Sequence, residues 1–62
     1  MVDRLLSRHE AATYLGVKTR TLEIWASTGR HRIPYVRIGR EVRYRQSDLD
    51  QLVDRLLITP SG

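Results

Sequence analysis

The sequence predicts a small α+β domain in which two short helices, a β-hairpin and a closing helix follow one another. Three observations carry this. A serine capping box opens a short helical stretch that ends on a glycine, and a second stretch with a tryptophan on its apolar face ends on another. The apolar period then switches from 3.6 to 2 across residues 36–45, and returns to 3.6 beyond residue 47. Sixty-two residues make one folding unit, residues 1–62. A chain of this size buries only about 60% of the surface its unfolded form exposes, so its core is thin.

The first helix is predicted over Arg8–Leu15. Ser7-Arg8-His9-Glu10 is a capping box, in which the serine side chain accepts from the third helical amide and the glutamate reaches back to the serine amide. Leu6 and Ala11 occupy the hydrophobic-staple positions, and Ala11, Ala12 and Leu15 form the apolar stripe. Gly16 is placed to end the helix in a left-handed turn. Gly16-Val17-Lys18 then links to a helix from Thr19 to Ser27 or Thr28. Leu22, Trp25 and Ala26 define its buried face, Arg20, Glu23, Ile24 and Ser27 its outer face, and Gly29 its end.

Val36-Arg37-Ile38 and Val42-Arg43-Tyr44-Arg45 alternate around Gly39-Arg40-Glu41, which reads as a two-stranded hairpin. In this reading Val36, Ile38, Val42 and Tyr44 face the helices, and Arg37, Arg43 and Arg45 face outward as a comb. The last helix starts near Ser47, with Asp48 and Asp50 at its positive end. Its face is Leu49, Leu52, Val53 and Leu56, it stops before Pro60, and residues 59–62 are expected to fray. No long exposed apolar seam is expected to remain, so a monomer is expected in the absence of DNA. The order helix, helix, β-hairpin wing, helix is that of a small winged helix-turn-helix.

Charge narrows the function. The chain is +4 overall, and ten of its eleven basic residues are arginine. Residues 18–45 hold eight basic and two acidic residues, a net +6, whereas residues 46–62 are net −2. A concentrated positive segment is the footprint of a polyanion binder, and a planar guanidinium matches phosphate oxygens or a guanine edge with paired hydrogen bonds. The plainer alternative is a solvated basic face. The absence of cysteine excludes disulfides and thiolate metal sites. There is no signal-peptide run and no stretch near the ~20 residues of a membrane span, so a cytoplasmic protein without a membrane partner is expected. The size argues against an enzyme with a buried pocket. His9 and His31 do not form a metal site by spacing, so no metal or cofactor is expected.

Glu10-Ala11-Ala12, Tyr14-Leu15-Gly16-Val17, Arg20-Thr21-Leu22 and Trp25 resemble the opening of the excisionase-type DNA-binding domain, related to the head of MerR-type regulators. Gly29, Ile33-Pro34, Val36 to Arg40, Val42 to Arg45 and Asp48-Leu49 continue the resemblance, which covers roughly residues 5–56. It implies a sequence-specific binder of double-stranded DNA, with the second helix in a major groove and the wing on the neighbouring minor groove and backbone. It also implies an accessory role, a recombination directionality factor beside a tyrosine-type integrase, that binds and bends attachment-site DNA. A small phage or prophage transcriptional regulator is the alternative. The resemblance makes Arg20 and its neighbours base readers, and gives Arg40 and Arg43 to the wing. Lys18 stands where relatives often have a small capping residue, Thr19 where they often have proline, and Ile24 where they are often basic.

Read residue by residue, the recognition helix offers Lys18, Thr19, Arg20, Thr21, Glu23 and Ile24. Arg20 suits guanine, or else pairs with Glu23 or Glu41 as a surface residue. Lys18, Thr19 and Thr21 surround a helix start that can hold a phosphate, although Thr21 is equally a residue buried in the turn. Glu23 is either a cytosine N4 acceptor or a surface charge, and Ile24 is an apolar contact for a thymine methyl or a lost phosphate contact. The wing offers Arg30, Arg32, Arg37, Arg40, Arg43 and Arg45 for phosphates or the minor groove. The apolar periodicity of Trp25 and Tyr44 assigns them to the core rather than to base stacking. Nothing resembling an effector domain follows residue 58, so no small-molecule effector is expected. Side-by-side self-association on DNA and a basic protein-interaction module remain open.

Overall fold

The structure is a computed structural model that describes residues 3–58. Its elements in order are β1 (Leu5–Ser7), α1 (Arg8–Leu15), α2 (Thr19–Thr28), a 3-10 turn (Arg30–Arg32), β2 (Val36–Ile38), β3 (Glu41–Arg45) and α3 (Gln46–Arg55). This is a small α+β domain compatible with a winged helix-turn-helix. The expected frayed tail and the stop before Pro60 lie outside the described residues.

The local signals set the helix ends. Glu10 N donates to Ser7 Oγ at 3.1 Å, and Ser7 N donates to Glu10 Oε1 at 2.9 Å, closing the capping box of α1. Gly16 and Gly29 end α1 and α2 in left-handed conformations, at φ 73° and 70°. A side chain there would be strained.

Two features of the sheet differ from the two-stranded comb expected of the sequence. First, β1 adds a third strand, giving the antiparallel order β1-β3-β2. Leu6 pairs opposite Tyr44, and both are buried. Second, Ile38 pairs with Glu41, so the hairpin loop is the two residues Gly39-Arg40 and not Gly39-Arg40-Glu41. Gly39 takes the first loop position at φ 62°. Because side chains alternate with a period of two, one residue less in the loop exchanges the faces. Arg37 therefore shares a face with Val42, while Val36 shares the other with Arg43. The hairpin arginines divide between the two faces, and Ile38 is left exposed.

Leu6, Ala11, Ala12, Leu22, Tyr44 and Leu49 form the core, with Trp25 and Val42 packed against it. Leu22 is its centre on α2. Trp25 is only half-buried and Ala26 is exposed, so the buried face is narrower than expected. On α3, Leu49 and Leu52 are buried, but Val53 and Leu56 are about half exposed. α3 packs on α1 and β3. Leu15, Val17, Trp25, Val53, Leu56 and Leu57 line an open groove of about 380 Å³.

The start of α3 is tied down from far along the chain. Asp3 accepts from Ser47 N at 3.2 Å and Ser47 Oγ at 2.6 Å, and Gln46 N donates to Arg4 O at 2.8 Å. Asp3 thus caps a helix that lacks a side-chain cap of its own. Asp48 lies in the first turn, while Asp50, expected at the same positive end, accepts from the Tyr14 hydroxyl. That bond raises the Tyr14 pKa above its ordinary range.

Hydrogen bonds from Ser47 hold the Asp3 carboxyl below its usual 3.8, and those from Ser7 hold Glu10 below its usual 4.5. Both groups are depressed in the fold. The stability they supply is present above the unfolded values and drains as pH falls through the folded ones. The urea midpoint should hold from neutral pH to about pH 5 and decline below it. In the Asp3→Asn, Glu10→Gln double variant that acid decline should be shallower, which parallel urea titrations would show.

Candidate nucleic-acid interface

α2 presents a complete outer face. Arg20, Glu23, Ile24 and Ser27 follow at i, i+3, i+4 and i+7 and are all exposed, opposite buried Leu22. Arg20 pairs with neither Glu23 nor Glu41. At the helix start Lys18 makes no side-chain cap, so the first-turn amides face outward without a side-chain partner from the cap residue. Thr19 is engaged, its Oγ1 lying 3.2 Å from His9 Nδ1 on α1, and Thr21 is half-buried. At the other end the Ser27 and Thr28 hydroxyls donate to Ile24 O at 3.1 and 2.8 Å.

The segment after α2 is strained. His31 and Arg32 have φ of 66° and 47°, two consecutive non-glycine residues on the left-handed side, one residue after left-handed Gly29. Such conformations cost on the order of 1–3 kcal/mol each and persist only where neighbours over-determine them. Here the His31 ring meets Trp25 edge-on, with centroids 4.6 Å apart, and Arg55 Nη2 donates to His31 O at 3.0 Å. The strained turn leads through Ile33-Pro34 to the hairpin, which carries Arg37 in the middle of β2 and Arg40 at its tip.

Among the described residues, the side chains of Lys18, Arg20, Arg30, Arg32, Arg37 and Arg40 are exposed and make neither an ion pair nor a hydrogen bond. They come from the start of α2, the turn after it, and the hairpin, where Arg37 lies on β2 and Arg40 at the tip. A helix pair joined by a glycine turn, with a half-buried tryptophan on the second helix and a hairpin behind it, matches the model of a family described as a helix-turn-helix domain over residues 5–56. The chain belongs to that family. Comparison with curated proteins and with solved structures finds no match.

In this helix-turn-helix domain two arginines of the expected wing set have partners within the protein. Arg45 Nε and Nη2 donate to Asp48 at 2.7 and 3.1 Å, a bidentate pair across the β3–α3 junction. Hydrogen bonding to Asp48 lifts the Arg45 pKa above its already high range. Asp48 is buried, and this pair is what satisfies its carboxylate. Arg43 lies 3.5 Å from Glu41 and donates to its neighbour's carbonyl, Val42 O, at 2.9 Å. It belongs to the central strand of the helix-turn-helix domain's sheet and is partly buried.

The helix-turn-helix domain also uses residues that sequence reasoning left aside. Asp3, which caps α3, and Arg55, which reaches the turn after α2, lie 44 and 24 residues from their partners. No spacing rule finds such pairs. The one signal was that Arg55 is the single cation in an acidic segment.

Proposed function

We propose that this domain binds duplex DNA in a sequence-specific manner, with α2 in the major groove and the hairpin tip over the adjacent minor groove. The observation that carries the reading is the exposed stripe Arg20, Glu23, Ile24 and Ser27, flanked by exposed cations without protein partners among the described residues. A second helix of a helix-turn-helix pair contacts base edges through residues near its N-terminus, where Arg20 stands. Lys18 and the first-turn amides of α2 suit a phosphate, with Thr19 and Thr21 lining the same turn. Arg37 and Arg40 reach the backbone or minor groove, as do Arg30 and Arg32 beside the helix end. Arg43 and Arg45 support this surface from within, by filling the outer sheet face and by holding Asp48.

The finer reading is an accessory factor that promotes excision by a tyrosine-type integrase. It is supported by the resemblance of residues 5–56 to excisionase-type domains. Bending a site by 40–90° costs on the order of 1–6 kcal/mol, which helix and wing contacts together must offset.

A duplex titration at several salt concentrations tests the binding. With about five phosphate contacts, log K should fall against log[salt] with a slope near −4 to −5. A flat response, or no binding to duplex, would overturn the reading in favour of a protein-interaction module. An excision assay with the matching integrase separates the recombination role from transcriptional regulation.

A further inference from the structure

We infer that the strained turn Gly29–Arg32 is a preset clamp for one DNA backbone phosphate, and that Arg55 is its positioning residue, acting without touching DNA. The inference rests on the duplex-binding reading and assigns a role to a residue outside the expected DNA-contact set. Three of the four residues in this turn have positive φ, two of them non-glycine. The Gly29 amide donates to Trp25 O and the Arg32 amide to Gly29 O, so the backbone of the turn is held internally and the side chains are what it offers outward. Arg30 and Arg32 flank it, both exposed and without protein partners among the described residues. Phosphate chemistry therefore fits its two side chains, whose spacing the turn fixes.

The turn packs against α2, though not closely throughout. A recess of about 130 Å³, lined in part by Trp25, Gly29, Ile33, Tyr35 and Tyr44, lies under it. What over-determines the conformation is the charge-assisted bond from Arg55 Nη2 to His31 O and the edge-on contact of His31 with Trp25. Arg55 sits at the end of α3, so it ties the turn to the helix behind the recognition helix. Its guanidinium is spent on a carbonyl, which marks a brace. Without the brace, the two arginines lose a fixed position, and phosphate binding must then order them.

The test is a double-mutant cycle read by affinity and salt slope, on a short duplex of arbitrary sequence, since a phosphate clamp needs no target site. Arg32→Ala and Arg55→Met should each weaken binding severalfold and reduce the salt slope by about 1. The double variant should bind nearly as well as the weaker single variant, because both changes disable one clamp. Arg55→Lys, which keeps a donor and the charge, should restore most of the affinity. Additive losses in the double variant, or wild-type affinity in Arg55→Met, would overturn the clamp. Should Arg55→Met fail to fold, the wild-type protein still decides. Duplex must shift the backbone amide resonances of residues 30–32, and unmoved signals reject the clamp. If the wild-type protein binds no duplex at all, it is the broader proposal that fails. Intact duplex binding with an additive cycle sinks the clamp alone.

Discussion

Leu22→Ala is expected to remove about 2–5 kcal/mol of folding stability. Leu22 is fully buried where α1, α2, the sheet and α3 meet, in one cluster with Leu6, Ala11, Ala12, Tyr44 and Leu49. Two of those neighbours are alanines with no further reach, so the site collapses poorly around the lost atoms. A 62-residue domain has roughly 3–9 kcal/mol in total, on the usual per-residue scale. The substitution therefore takes a large share of it, and a sharp fall in the urea midpoint is the measurement. Ile24→Ala, on the exposed face of the same helix, should stay within about 0.5 kcal/mol of wild type. Equal effects for the two would mean that α2 does not present its Leu22 side inward.

Arg20→Ala is expected to cost about 1–3 kcal/mol of discrimination at one base pair of the target, while binding to unrelated duplexes changes much less. Arg20 sits in the first turn of α2, exposed and free of ion pairs among the described residues, so nothing in the protein competes for its guanidinium. Arg40→Ala, at the hairpin tip, should instead weaken all duplexes about equally and lower the salt slope by about 1. Competition binding with single-base variants of the site distinguishes the two patterns. A uniform loss for Arg20→Ala would remove it from base reading and leave it a phosphate contact.

The helices were legible because their signals are local. The Ser7–Glu10 box, Gly16, Gly29 and the Leu22 spacing each act within three or four residues, and α1 runs over the residues expected of it. The outer face of α2 was legible for the same reason. The hairpin was legible as an element but not in its register. Alternation of apolar residues on both arms suited a three-residue loop, yet Gly39 allows a two-residue one, and that difference moved Arg37 to the face opposite Arg43 and Arg45. β1 escaped notice because three residues carry too little periodicity, and its pairing depends on Leu6 meeting Tyr44.

From the chain's order alone came the start and stop of α1 and α2, the outer side of α2, and the gathering of cations between residues 18 and 45. These are decided by neighbours on one or two turns, whose interactions survive in any context. Folding in three dimensions decided which cations are free. It occupied Arg45 with Asp48, drew Arg43 along the central strand, and set Asp3 and Arg55 against partners 44 and 24 residues away. Whether a guanidinium meets solvent or a carboxylate depends on what packing brings beside it, and that is not written in its own stretch of sequence.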